Sequence, residues 1–230
     1  GCFCFAWLLS VSLTEAFDHQ HAPWTDILKS YAREGLVDYA ALKRDHAALG
    51  AYLDHLSQIS ESDFKTWSKE QQLAFLINLY NAQTIDLIVK HYPVKSIKDI
   101  GTVLKGPWDQ PVVRLFGNTA TLNHLEHQFL RKNYDEPAIH FALVCAARGC
   151  PALREEAYGA DKLTEQLKDQ LKRFLSDPSK NKIVPGQKVI RLSPLFKWYA
   201  ADFSKKSGSV TAYLAEMTNL GIPVPPGFTI

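Results

Sequence analysis

Ile139-His140-Phe141-Ala142-Leu143-Val144-Cys145-Ala146-Ala147-Arg148-Gly149-Cys150-Pro151 is the segment around which the other elements have to be arranged. From Ile139 to Cys145 the run is apolar apart from His140, the pattern of a buried central strand covered on both faces. Side chains alternate along a strand, so 140, 142 and 144 face one way and 141, 143 and 145 the other. On that geometry His140 and Cys145 point apart. Cys150 lies on the loop beyond the strand and can fold back, and Arg148 beside it favours a thiolate. An imidazole that titrates near neutrality and a sulfur nucleophile then make a candidate pair, with Cys150 attacking and Cys145 the buried packing residue. The competing reading is a Cys145–Cys150 disulfide or two inert thiols. Cys-x4-Cys is wider than the Cys-x-x-Cys of dithiol oxidoreductases, which argues against that chemistry.

Upstream of this segment the chain reads as helical. Pro23 to Arg33 and Ala40 to Ile59 carry apolar residues at helical spacing, separated by the extended piece Leu36 to Tyr39. A longer helix opens at Ser68, where Ser68-Lys69-Glu70-Gln71 fits a capping box, and stops near His91 before Pro93. Val112 to Phe116 and Thr119 to Thr121 flank Gly117-Asn118 as a hairpin. Asn123-His124-Leu125-Glu126 starts another helix, with Asn123 and Glu126 as its capping box. Downstream, Leu163 to Leu175 is an amphipathic helix. Ile183-Val184 and Val189 to Leu192 form a second hairpin about Pro185-Gly186-Gln187. Pro194 to Phe203 and Val210 to Met217 are closing helices, and Leu220 to Ile230 is a tail. The expected fold class is α+β: one domain, with several helices packed on a small mixed sheet around the buried central strand, a papain-like or transglutaminase-like layout.

Other polar side chains sit where they could serve that strand. Asn78 and Asn81 share one face of an otherwise apolar helix. Buried amides need partners, so they either bracket neighbouring loops or line a cleft with Tyr80. His124 and His127 share a face but lack zinc-site spacing, and no metal is expected. Glu126 or His127 is the better candidate to orient a catalytic imidazole. His46 and His55 read as solvated surface, and His19 and His21 as part of a mobile N-terminus. Phe196, Trp198, Tyr199 and Phe203 have the spacing of core packing.

Composition bounds the function class. The 230 residues are 46% hydrophobic and 22% charged with a formal net charge of +2, too small a charge to indicate nucleic acid or an anionic membrane. No cofactor motif is present, and no cofactor is expected. Cys2 to Leu13 is an uncharged apolar run too short to span a bilayer as an ordinary helix. Thr14-Glu15-Ala16 follows with small residues at the positions a signal peptidase reads. Residues 1–16 are therefore expected to be a truncated secretory signal, leaving 17–230 as one globular domain with no membrane anchor after cleavage. Only Cys145 and Cys150 remain in that mature chain, in a periplasmic or extracellular setting.

Five segments together resemble the domain of unknown function 547 family. They are Val37 to Leu42, Ala74 to Ala82, His124 to Arg131, Ile139 to Pro151 and Leu192 to Tyr199, so the resemblance spans about residues 22 to 203. Bacterial members carry both cysteines of the loop, as here, whereas plant relatives have serine where Cys150 stands. The resemblance thus favours Cys145 as nucleophile where chain geometry favours Cys150, and it implies no particular activity.

Two functional readings follow. In one the chain is a thiol-dependent hydrolase or transferase. Cys150 or Cys145 attacks, His140 is the general base, and Glu126, His127 or Asn81 orients it. Asn78, Asn81, Tyr80 and Arg148 hold the substrate, and amides from Arg148 to Cys150 serve as oxyanion donors. In the other it is a non-catalytic module for a small-molecule or peptide ligand, and the cysteines are structural.

Overall fold

The computed structural model describes residues 16–102, 105–146, 149–184 and 189–219. The expected secretory segment, apart from Ala16, and the tail from 220 lie outside these residues. So do the tip of the second expected hairpin and Arg148. In chain order the described elements begin with α1 (Ala22–Tyr31), β1 (Ala32–Arg33), β2 (Leu36–Val37), α2 (Tyr39–Arg44), α3 (Ala47–Ser57), α4 (Glu61–Thr66) and α5 (Lys69–His91). After two 3-10 turns come β3 (Val113–Leu115), β4 (Asn118–Ala120), α6 (Leu122–His124), a π-helical turn over Leu125–Leu130, and α7 (Arg131–Asn133). A 3-10 turn over Pro137–Phe141 leads to α8 (Leu163–Ser176), β5 (Lys182–Val184), β6 (Val189–Arg191), α9 (Leu195–Trp198), α10 (Ala200–Ser207) and α11 (Val210–Asn219).

α5 is the axis of the fold. Its capping box forms as the sequence predicts: Ser68 Oγ accepts from Gln71 N, and Gln71 Oε1 accepts from Ser68 N. Each such cap is worth about 1 kcal/mol. Every residue from Leu73 to Val89 is buried, as expected of a helix enclosed on all sides rather than on one stripe. α2, α3 and the π-helical turn all pack on it. Its buried polar residues each find a partner. Asp86, 1% exposed, is met by His46 Nε2 at 2.6 Å, Lys90 Nζ at 2.7 Å and Gln83 Nε2 at 2.9 Å. His46 is therefore a hydrogen-bond partner of a buried core carboxylate and not merely a solvated surface residue.

The α+β class is the observed one, but the sheet differs from expectation. Among the described residues the strands form three separate antiparallel pairs, β1–β2, β3–β4 and β5–β6, and no larger mixed sheet. No buried central strand runs through Ile139 to Cys145: Pro137–Phe141 is a 3-10 turn, and residues 143–145 are irregular. A short apolar run does not distinguish a strand from a buried turn. Pro137 at the start of the turn, with Glu136 Oε1 accepting from Ala138 N, favours the turn locally. A papain-like or transglutaminase-like layout, which needs such a sheet, does not appear among the described residues.

Smaller departures have local causes. The helix expected over Ala40 to Ile59 is broken into α2 and α3 at Asp45 and His46. The turn of the β3–β4 hairpin is Phe116-Gly117, not Gly117-Asn118. The register pairs Leu115 with Asn118, and both turn residues have positive φ, 53° and 72°, the requirement of a two-residue hairpin turn. The first histidines, expected at a mobile N-terminus, are packed: His19 lies against Phe17 and Trp67. His21 is 1% exposed at the start of α1, with Nδ1 2.7 Å from the Tyr52 hydroxyl. His55 stacks on Phe17.

Candidate functional site

Cys145 and Cys150 are joined as a disulfide, with Cα atoms 5.9 Å apart, an ordinary span for that bond. This is the competing reading of the two cysteines: with each sulfur bonded to the other, neither is a free thiolate in this structure. Among the described residues no hydrogen bond joins His140 to either sulfur. The imidazole is engaged elsewhere.

The two asparagines expected to line a cleft are brackets. Asn78 Nδ2 donates to Tyr158 O at 2.7 Å, and its Oδ1 accepts from Tyr158 N at 3.0 Å. Asn81 does the same for the segment first read as a strand, donating to Ala142 O at 2.9 Å and accepting from Val144 N at 3.0 Å. A single side-chain amide thus supplies the pairing a neighbouring strand would give. Both asparagines are sealed from solvent, with amide oxygen and nitrogen each engaged by backbone.

Four of the predicted site residues do converge, on a polar cluster between α5, the π-helical turn and α9–α10. Tyr80 projects from α5 and donates to Glu126 Oε2 at 3.3 Å. His140 Nε2 donates to Asp202 Oδ2 at 2.7 Å, and its ring stacks on Tyr199 with centroids 3.7 Å apart. Arg131 grips Asp202 with Nε at 2.6 Å and Nη2 at 3.0 Å, while its Nη1 lies 2.7 Å from His127 Nδ1. The Arg131 guanidinium also sits over the Tyr199 ring, 5.1 Å from the centroid.

Glu126 reaches this cluster because its turn is π-helical, a wider winding that occurs frequently at functional sites. It is also free of the capping duty that the sequence suggests for it. The cap of α6 is Thr121, whose Oγ1 accepts from His124 N, and Asn123 binds Asp109 instead. Glu126 is 5% exposed, and among the described residues its Oε1 has no hydrogen-bond partner.

The electrostatics follow from burial. Burial lowers the His140 imidazole, outweighing the Asp202 hydrogen bond and the Glu126 charge that work the other way. It is therefore a neutral ring donating to a carboxylate. Burial alone would push Asp202 up, but hydrogen bonds from Arg131 and His140 hold it below the usual carboxylate range. Burial, and then the Glu126 charge, push both the Tyr80 and Tyr199 hydroxyls up; the Trp108 N–H turned toward Tyr80 works the other way. The cluster thus contains a His–Asp pair of the kind that orients a base, a buried carboxylate and two neutral phenols. Among the described residues no three His, Cys, Asp or Glu side chains are placed to hold a metal ion.

Sequence reasoning missed Arg131, Asp202 and Trp108, and read Tyr199 as core. One signal was available: Tyr199 and Asp202, three apart, share a helix face with the buried Phe203. An acidic residue beside a core aromatic implies an internal partner.

No curated protein and no solved structure matches this chain. Residues 64–175, which hold Tyr80, Glu126, Arg131, His140 and both cysteines, match the model of the family described as "Protein of unknown function, DUF547", a match that supports assignment to that family.

Proposed function

We propose that this protein is a non-catalytic small-ligand-binding module of an oxidising compartment, periplasmic or extracellular, in which Cys145 and Cys150 are structural. The observation that carries this reading is the separation of the two halves of the expected thiol site. The sulfurs are bonded to each other, while His140, Glu126, His127 and Tyr80 gather on Asp202 and Tyr199. The ligand site in this reading is the Glu126 cluster, where a buried carboxylate oxygen finds among the described residues no partner of the kind buried polar atoms normally have. The export signal is the apolar run from Cys2 to Leu13 with the small residues before Phe17. A disulfide favours such a setting.

Alkylation of the purified chain with and without reductant tests the proposal. The expected result is that Cys145 and Cys150 resist the reagent until reductant is added. A closed loop this short contributes only roughly 2 kcal/mol, so the reduced protein stays folded and still binds its ligand. A thiol that alkylates without reductant, together with loss of activity on a thioester or ester substrate when it is blocked, overturns the reading in favour of a thiol enzyme.

A further inference from the structure

We infer that the Glu126 cluster recognises a protonated primary amine, held by charge-assisted hydrogen bonds to the Glu126 carboxylate. This rests on the cluster being the ligand site. The first support is the free acceptor. Glu126 Oε2 takes the Tyr80 hydroxyl, the Tyr199 hydroxyl also turns toward the carboxylate, and among the described residues no donor lies within hydrogen-bond geometry of the buried Oε1. A ligand that completes this site must bring a donor.

The second support is the charge balance. Among the described residues Arg131 is the one cation of the cluster, and it is committed to Asp202 through two nitrogens and to His127 through the third. His140 is neutral and also spends its Nε2 proton on Asp202. Arg131 feels Glu126 but is paired with Asp202, so among the described residues no cation is paired with the Glu126 carboxylate. A cationic donor offsets it, and a neutral donor does not.

The third support is shape. Glu126 and Tyr80 are buried, Trp108 and Tyr199 are half-buried, and His127 is exposed. Two partly exposed aromatic side chains thus flank the pair, Trp108 beside Tyr80 and Tyr199 beside Glu126. Aromatic walls favour a cation, and the near-complete burial of the carboxylate favours a narrow –NH3+ head over a quaternary ammonium. A quaternary ammonium also lacks the N–H that Oε1 requires.

Calorimetric titration of the oxidised chain with butylammonium, tetramethylammonium, butanol and butyrate tests this. Butylammonium binds, and the other three bind at least about tenfold more weakly. The isosteric Glu126→Gln weakens butylammonium by about tenfold or more, as loss of a charge-assisted hydrogen bond requires. Trp108→Leu, which leaves the carboxylate in place, also weakens it, so the test survives if the first variant does not fold. Butanol or butyrate binding as tightly as butylammonium, with loss in either variant, overturns the amine assignment and leaves the site standing. Absence of binding by all four probes, as when Oε1 merely holds a water, overturns the assignment and the binding-module reading together. So does butylammonium binding that neither variant changes.

Discussion

Asn81 shows how much of this structure depends on single side chains. Its amide is the only hydrogen-bond bracket the described residues provide for Ala142 O and Val144 N. Replacing it with alanine leaves a donor and an acceptor buried without partners, at about 1–3 kcal/mol each before relaxation. Asn81→Ala is expected to lower stability by about 2–4 kcal/mol in urea unfolding. A variant as stable as the parent would show that the segment is held by its apolar contacts alone. The sequence shows that Asn78 and Asn81 share a face of an apolar helix, and so that they need partners. It does not show which backbone they hold, because those partners lie some 60 to 80 residues further along. Glu126, His127, His140 and Tyr80 are likewise legible as polar groups in apolar surroundings. Their convergence on Asp202 depends on a turn that brings α9 and α10 back over residues 137–141, and nothing local announces it.

Helices with strong periodicity or a clear cap are the elements the sequence reveals best. α5 begins at its capping box and ends before Pro93 as the local signals predict, and α8 shows its amphipathic stripe. The strand read into Ile139 to Cys145 fails because continuous burial has no period to read. The π-helical turn over Leu125–Leu130 is hidden for a related reason. One extra residue in a turn shifts the apolar spacing too little to separate it from an ordinary helix. That extra residue has a consequence that can be measured. Gln128 is exposed within the turn, and its deletion lets the segment wind as an α-helix and rotates Glu126 relative to Tyr80. Thermal melts are expected to show a loss of about 1–2 kcal/mol, the worth of a hydrogen bond or two. The stabilisation by butylammonium should disappear. If the amine response survives the deletion, the π-helical winding is not what presents the carboxylate.

Taken together, the buried titratable groups make the folded protein sensitive to acid. Burial holds His21 down to about 3 from an ordinary 6.5. The unfolded chain therefore binds a proton that the folded chain refuses between those values, and stability falls as pH drops through that window. His140, also lowered by burial, acts in the same direction. Asp202, held below the usual carboxylate range against its burial by Arg131 and His140, adds stability that is lost only at still lower pH. Stability should therefore be level above about pH 7 and decline from there toward pH 3. His21 contributes on the order of 5 kcal/mol over the full window at about 1.4 kcal/mol per pKa unit. His21→Gln is expected to be less stable at neutral pH, for want of the full Tyr52 contact, but to lose much less on acidification. Chemical denaturation at pH 7, 5 and 4 checks both parts. Parallel pH profiles for variant and parent would show that His21 does not set the acid response.

The enclosure of α5 also limits how such a chain can drift. A helix of 23 residues is about 35 Å long, and from Leu73 to Val89 it has no outward side on which substitutions pass unnoticed. A change of volume or polarity there is felt by whichever outer segment touches it, and is tolerated only when that segment changes too. Variation among descendants of such a chain is thereby channelled to the exposed turns of the surrounding helices, with the axle altered in matched pairs or not at all.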